Sequence, residues 1–157
     1  RVERMEIDDK DGVVALPGAA QFLRSLAPQR YAIVTSATRA LALARLGYAG
    51  LPIPQNLISA GDVANGKPSP EPYLKGAELL GFASPDCLVF EDAPAGISSA
   101  RAAGMQVIAL GTTYPRQELA GADAFITSLA EAEASANDRR IVITLARGSG
   151  QQLSYRR

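Results

Sequence analysis

Short apolar runs alternate along this chain with amphipathic segments, and this alternation constrains the fold more than any other feature. The runs are rich in β-branched residues, which is typical of strands buried on both faces of a parallel sheet. We predict strands at residues 31–35, 57–59, 87–90, 106–110 and 124–126. Strands that alternate with helices of about ten residues indicate an α/β fold, a Rossmann-like parallel sheet with helices on both faces.

Each predicted helix carries its own start or stop signal. Pro70 and Pro94 each begin a helix, because proline is tolerated in the first turn, and Gly81 and Gly104 mark where these helices stop. Thr38 is placed to cap another helix through its hydroxyl. The four predicted helices lie at residues 19–26, 38–47, 70–80 and 94–104.

The C-terminal part of the chain follows a different pattern. Residues 141–145 and 151–155 flank a Gly-containing turn at 147–150, which predicts a β-hairpin. The alanine-rich acidic segment 130–136 is predicted to be the end of a helix. A chain of 157 residues is long enough for one domain with a hydrophobic core, so we predict a single domain over residues 1–157.

The composition excludes several classes of function. The chain contains no histidine, which excludes Ser-His-Asp and Cys-His catalysis and HExxH zinc sites within it. Its 16 basic residues balance 16 acidic ones, so neither nucleic acid nor a membrane surface is an expected partner. Cys87 is the only cysteine, which excludes an intramolecular disulfide and favours a reducing compartment such as the cytoplasm.

Polar residues follow the predicted strands at the edge where parallel sheets bind their ligands. A hydroxyl and backbone N–H groups at a helix start, together with a lysine, can bind a phosphate. Neighbouring carboxylates can bind Mg²⁺ through their hard oxygen atoms. The residues concerned are Thr35, Ser36 and Ala37 after the first strand, Lys67 beyond the second, and Glu91 and Asp92 after the third.

Each of these residues also has a purely structural interpretation. Ser36 can be a helix cap, and Lys67 can be a solvated surface residue. The carboxylates of Glu91 and Asp92 can interact with the dipole at a helix start. Taken together, however, a hydroxyl, a cation and two carboxylates at one sheet edge favour phosphoryl chemistry over three separate structural roles.

Three sequence runs resemble conserved motifs of the haloacid dehalogenase-like phosphatases, in the order and at the spacing found in that family. They are AIVTS at residues 32–36, GKPSPEPY at 66–73 and VFEDAPAGI at 89–97. The chain is most similar to the branch of sugar and polyol phosphatases that also includes the β-phosphoglucomutases. The resemblance extends over roughly residues 12–128.

The resemblance implies a role for each of the residues at the sheet edge. Ser36 would hold the transferring phosphoryl group, and Lys67 would neutralise that group and steady the nucleophile. Glu91 and Asp92 would hold Mg²⁺. Catalysis would then rest mostly on positioning and electrostatic stabilisation, as phosphoryl transfer generally does.

The nucleophile of this family is the first aspartate of a DxDG-type motif that ends a buried strand, and a small helical cap follows that motif. Asp9 and Asp11 imitate the motif, but the polar residues before them do not predict a buried strand. The stretch before Ser36 also leaves no room for a cap. We therefore expect a nucleophile upstream of this chain, a linker returning from the cap over residues 1–15, and an empty slot in the sheet where the first strand belongs.

The resemblance implies a Mg²⁺-dependent phosphatase of small phosphorylated sugars or polyols that forms an aspartyl-phosphate intermediate. Two alternatives remain open at this point. A phosphosugar mutase uses the same motifs and differs in how its cap reorients the intermediate. A non-catalytic α/β module would retain the fold and bind phosphate without turnover. The sequence gives no indication of the oligomeric state.

Overall fold

The structure is a computed structural model that describes residue 7 and residues 11–137, 140–146 and 152–156. Its helices are α1 (Ala19–Ser25), α2 (Arg39–Tyr48), α3 (Glu71–Leu80) and α4 (Pro94–Ala102). Its strands are β1 (Ile33–Val34), β2 (Leu57–Ile58), β3 (Leu88–Glu91), β4 (Gln106–Leu110), β5 (Ala124–Ile126), β6 (Ala132–Asn137), β7 (Arg140–Leu145) and β8 (Gln152–Arg156). Strands and α-helices therefore alternate from β1 to β4, and a short 3₁₀ helix (Arg116–Leu119) links β4 to β5. The predicted α/β fold is confirmed.

Local signals place the helix boundaries as the sequence predicts. The Thr38 hydroxyl caps α2 by accepting a hydrogen bond from the Leu41 N–H at 3.3 Å. Helix α3 stops at Gly81, whose φ of 72° lies in the left-handed region that glycine adopts without strain. Among the described residues, no helix is both long enough and apolar enough to cross a membrane.

The parallel strands form two hydrogen-bonded sheets. Strand β1 pairs with β2, and β3, β4 and β5 pair in that order. Strand β1 is shorter than the predicted strand over 31–35, and its two residues are half-buried instead of fully buried. The reason is that one side of β1 borders a cavity.

This cavity has a volume of about 440 Å³ and separates β1 from β3. Ile33 and Thr35 donate their N–H groups to β2, at 3.0 and 2.9 Å from the Asn56 and Ile58 carbonyl oxygens. Because alternate residues of a parallel strand bond to opposite sides, Val34 directs its N–H and C=O away from β2. The lining is largely apolar and includes Ile33, Val34, Leu88, Val89, Phe90, Tyr73, Ala77, Phe22, Ile141 and Ile143. The cavity is thus a gap between the two parallel sheets, and its identification with the slot of an absent strand stays a prediction.

Strand β4 separates two hydrophobic clusters because its side chains alternate between the faces of the sheet. Val107 and Ala109 pack with residues of α3 and α4, whereas Ile108 and Leu110 pack with Phe22 of α1. The second face is also covered by β6 and β7, through residues such as Ala132, Ile143 and Leu145. Helices therefore lie on both faces, as predicted. Strands β6 and β7 cover the rest of the face on which α1 lies.

The prediction of a helix end over residues 130–136 is wrong. Strand β6 occupies most of this segment and pairs antiparallel with β7, with Ala132 opposite Leu145. Alanine has the highest helix propensity, but propensities differ by only tenths of a kcal/mol per residue, and burial of Ala132 against the core outweighs that preference. The hairpin that the sequence predicts is present as β7 and β8, to which β6 adds a third strand.

Candidate active site

Lys67 connects the carboxyl ends of β1 and β3. Its ammonium group forms an ion pair with the Glu91 carboxylate and lies 3.4 Å from the Val34 carbonyl oxygen. The same nitrogen lies 4.9 Å from the centre of the Tyr73 ring, within the range of a cation–π interaction. Only 14% of the Lys67 side chain is exposed, so the solvated-surface interpretation of this residue does not describe its position.

The Glu91 carboxylate is buried and surrounded by donors. Besides Lys67, it accepts hydrogen bonds from the Tyr73 hydroxyl at 2.6 Å and from the N–H groups of Asp92 and Ala93 at 3.0 and 3.2 Å. Burial alone would raise the pKa of Glu91, but the charge of Lys67 and these hydrogen bonds outweigh it and keep the pKa below its usual value. Glu91 is therefore ionised at neutral pH.

Tyr73 acts as a permanent donor to this carboxylate. Burial of the phenol, followed by the negative charge of Glu91, raises its pKa well above the ordinary value. The hydroxyl proton is consequently retained at any physiological pH. Tyr73 thus ties α3 to the end of β3.

Gly96 of α4 leaves the space that the Glu91 side chain occupies. A Cβ atom at this position would lie 2.0 Å from the carboxyl carbon of Glu91, which is closer than real Cβ contacts. A residue with a side chain would therefore displace the carboxylate.

Asp92 is half-buried beside Glu91 and forms its hydrogen bond with a different partner. Its Oδ2 atom accepts a hydrogen bond of 2.5 Å from the hydroxyl of Thr113, which belongs to the segment after β4. Carboxylate oxygens are the ligands that Mg²⁺ prefers, and one or two of them suffice because Mg²⁺ retains several waters. Asp92 and Glu91 fit such an ion by donor type, although no group of three potential metal ligands occurs among the described residues.

The segment after β1 forms a polar turn at the same edge. The Thr35 hydroxyl accepts a hydrogen bond of 3.1 Å from the Ala37 N–H. Ser36 is exposed within this turn, two residues after the carbonyl group that contacts Lys67. The structure thus places Thr35, Ser36 and Ala37 after the strand end that Lys67 contacts, while the phosphate-binding role of these residues stays a prediction.

Sequence reasoning missed four residues that shape this site. Buried Ser99 donates a hydrogen bond of 2.5 Å to the Ser69 carbonyl oxygen and thereby holds the segment that follows Lys67. Gly96 carried a usable signal, because glycine inside a helix is costly without a steric reason. The roles of Tyr73, Ser99 and Thr113 depend on partners that are distant in sequence, and no local pattern identifies them.

The DxDG-like stretch contains two aspartates, Asp9 and Asp11. Asp9 lies outside the described residues, so its predicted distance from the site stays a prediction. Asp11 is exposed at a turn. Nearby, the Ile7 carbonyl oxygen accepts a hydrogen bond of 2.9 Å from Tyr48, at the end of α2 opposite to Thr38.

A family profile described as haloacid dehalogenase-like hydrolase matches residues 2–104 of the chain. Hexitol phosphatase A of Escherichia coli is 44% identical over 131 residues, which cover 82% of this chain and 61% of that protein. Glycerol-1-phosphate phosphohydrolase 2 of Saccharomyces cerevisiae is 40% identical over 111 residues, covering 64% of this chain and 44% of the yeast protein. The chain therefore spans about half of the length of these curated relatives.

Solved structures show the same similarity. CbbY from Rhodobacter sphaeroides in complex with phosphate superposes with a TM-score of 0.67 at 28% identity, covering 74% of this chain and 55% of CbbY. A haloacid dehalogenase family hydrolase from Deinococcus radiodurans with bound phosphate and sodium gives a TM-score of 0.64 at 29% identity. That match covers 75% of this chain and 57% of the other.

Proposed function

This chain belongs to the haloacid dehalogenase-like hydrolase family, and we propose that it forms the core part of a Mg²⁺-dependent phosphatase acting on a small phosphorylated sugar or polyol. The names of the hexitol and glycerol phosphate phosphatases among its relatives support this substrate class. The observation that carries the proposal is the position of Lys67, a nearly buried cation that contacts the ends of two parallel strands.

In the proposed reaction the chain binds and orients the phosphoryl group. Lys67 offsets the negative charge of its oxygen atoms, and the hydroxyl and N–H groups of Ser36 donate hydrogen bonds to them. Thr35 and Ala37 shape the turn, because their own N–H groups already bond to the Ile58 carbonyl oxygen and the Thr35 hydroxyl. Glu91 forms an ion pair with Lys67 and thereby directs its ammonium group toward the sheet edge. Asp92 and Glu91 would hold Mg²⁺, which as a Lewis acid neutralises charge on the phosphoryl oxygens when it is bound.

We further propose that the nucleophile is an aspartate outside residues 1–157, at the end of a strand that fills the cavity between β1 and β3. The apolar lining suits a buried strand, and Val34 directs its N–H and C=O away from β2 and can pair with one. A carboxylate at the end of such a strand would lie beside Lys67. Its attack on phosphorus would form the aspartyl-phosphate and break the bond to the substrate oxygen, which takes a proton from the second aspartate of the same motif.

The domain assignment and the compartment are parts of the same proposal. Residues 1–157 would form a single core domain, with residues 1–15 as the linker from a cap. The proposed compartment is the cytoplasm, for the redox reason that Cys87 provides.

Phosphate release from a panel of hexitol, glycerol and deoxyhexose phosphates tests the proposal on the product of the complete reading frame. We expect Mg²⁺-dependent turnover that falls at least tenfold in Lys67→Ala, because a charge-assisted hydrogen bond contributes about 1.5–3 kcal/mol. Lys75→Ala is the matched control, since Lys75 lies on α3 and contacts Glu71 and the Asp62 carbonyl oxygen instead.

Three outcomes would contradict different parts of the proposal. Isomerised phosphosugar without phosphate release would identify a mutase. Phosphate binding without any turnover would identify a non-catalytic module. Normal turnover in Lys67→Ala would remove Lys67 from the mechanism.

A further inference from the structure

The hydroxyl of Thr113 connects two loops at the proposed site. Strands β3 and β4 are parallel neighbours, with Glu91 paired to Ala109, so the segments that follow them leave the same edge of the sheet. Thr113 lies in the segment after β4 and donates its hydrogen bond of 2.5 Å to Oδ2 of Asp92, in the segment after β3. Both residues are at least partly exposed, so neither side chain belongs to the hydrophobic core.

We propose that Thr113 is a positioning residue that fixes the Asp92 carboxylate so that its other oxygen, Oδ1, is presented to the cation. This inference rests on the proposed assignment of Asp92 to Mg²⁺. It goes beyond that assignment because neither the motifs of the sequence nor the metal-ligand chemistry identifies a residue in the segment after β4.

The two neighbouring carboxylates differ in how they are held. Four donors from three segments of the chain surround the Glu91 carboxylate. For Asp92, the hydroxyl of Thr113 is the one hydrogen-bond donor found among the described residues. Without it, rotation about the side-chain bonds of Asp92 would be restricted by packing alone, and ordering the carboxylate would cost conformational entropy on cation binding.

Threonine is well suited to this role. Its β-branched side chain has few accessible rotamers, so its hydroxyl is already directed before the ion binds. Mg²⁺ requires nearly ideal octahedral geometry and tolerates a misdirected ligand poorly. Groups that orient metal ligands without touching the metal typically contribute 10- to 100-fold to metal affinity.

Titration calorimetry with MgCl₂ on the full chain tests the inference. We expect Thr113→Val, which keeps the shape and removes the hydroxyl, to raise the Kd for Mg²⁺ by about 10-fold or more. Thr113→Ser retains the donor and should bind close to the wild-type affinity. Thr112→Val is the matched control, because Thr112 is an exposed neighbour of the same type in the same segment.

A second readout separates positioning from general stability. The thermal midpoint without Mg²⁺ should be the same in wild type, Thr113→Val and Thr113→Ala. In the product of the complete reading frame, Thr113→Val should raise the Mg²⁺ concentration for half-maximal turnover and leave kcat at saturating Mg²⁺ near the wild-type value.

The possible failures are distinguishable. A wild-type protein that binds no Mg²⁺ would refute the proposed metal site itself. Wild-type binding with an unchanged isotherm in Thr113→Val, or an equal loss in Thr112→Val, would overturn only the positioning role of Thr113. A lowered thermal midpoint in both Thr113→Val and Thr113→Ala without Mg²⁺ would assign the residue a structural role and would also overturn it.

Discussion

Replacing Gly96 by alanine should have two opposing effects on stability, a gain in helix propensity and a loss from a steric overlap with Glu91. Alanine inside a helix is usually more stable than glycine by about 0.5–1 kcal/mol, because glycine loses more backbone entropy on folding. In α4, however, the new methyl group would lie 2.0 Å from the Glu91 carboxyl carbon. The two effects have opposite signs, so the direction of the stability change decides between them.

The expected loss of stability follows from the hydrogen bonding that the Glu91 carboxylate would lose. Its carboxylate has to move by roughly 1 Å or more to relieve the overlap. Losing one charge-assisted hydrogen bond costs about 1.5–3 kcal/mol. After the helix gain is subtracted, Gly96→Ala should lower the free energy of unfolding by about 0.5–2.5 kcal/mol.

Urea unfolding followed by circular dichroism measures this change, with Gly47→Ala as the control. Gly47 lies in α2, and a Cβ atom there would have no neighbour within 4 Å, so this variant should be more stable by about 0.5–1 kcal/mol. The midpoints of the two variants should therefore shift in opposite directions at unchanged m-values. A Gly96→Ala variant that gains stability as Gly47→Ala does would refute the close packing of Glu91 against α4.

Three further predictions concern the groups around the site. Tyr73→Phe should lower the free energy of unfolding by about 1–3 kcal/mol, because the buried Glu91 carboxylate loses a donor; an unchanged urea midpoint would contradict the hydrogen bond. The N–H groups of Ala64 and Asn65 lower the pKa of Glu71 to about 2, against an ordinary value of 4.5, so its contribution to stability is complete above about pH 4.5 and is lost as the pH falls toward 2. Unfolding midpoints measured across that range should therefore fall less steeply in Glu71→Gln than in wild type, whereas Glu78→Gln on the exposed face of α3 should follow the wild-type curve. Finally, Asp9→Asn and Asp11→Asn should leave the turnover of the complete reading frame's product unchanged, and loss of activity in either variant would place the nucleophile within this chain.

Local signals in the sequence are sufficient for the order of the elements from α1 to β5 and for most helix boundaries. Thr38 caps α2 and Gly81 ends α3 because capping and left-handed backbone conformations depend on a few adjacent residues. The sequence also places Lys67, Glu91 and Asp92 correctly at one sheet edge. The carboxyl ends of parallel strands necessarily meet at that edge, so strand order in the chain is enough to predict it.

Tertiary structure alone decided how those residues are partnered. Lys67 contacts Val34 across 33 positions of sequence, and Thr113 contacts Asp92 across 21. Residues 132–136 form a strand because they pair with β7, against the local helix preference of their alanines. Local propensities amount to tenths of a kcal/mol per residue, whereas burial and hydrogen bonding between distant segments amount to about 1 kcal/mol or more per contact. Where the two conflict, the distant contact determines the structure.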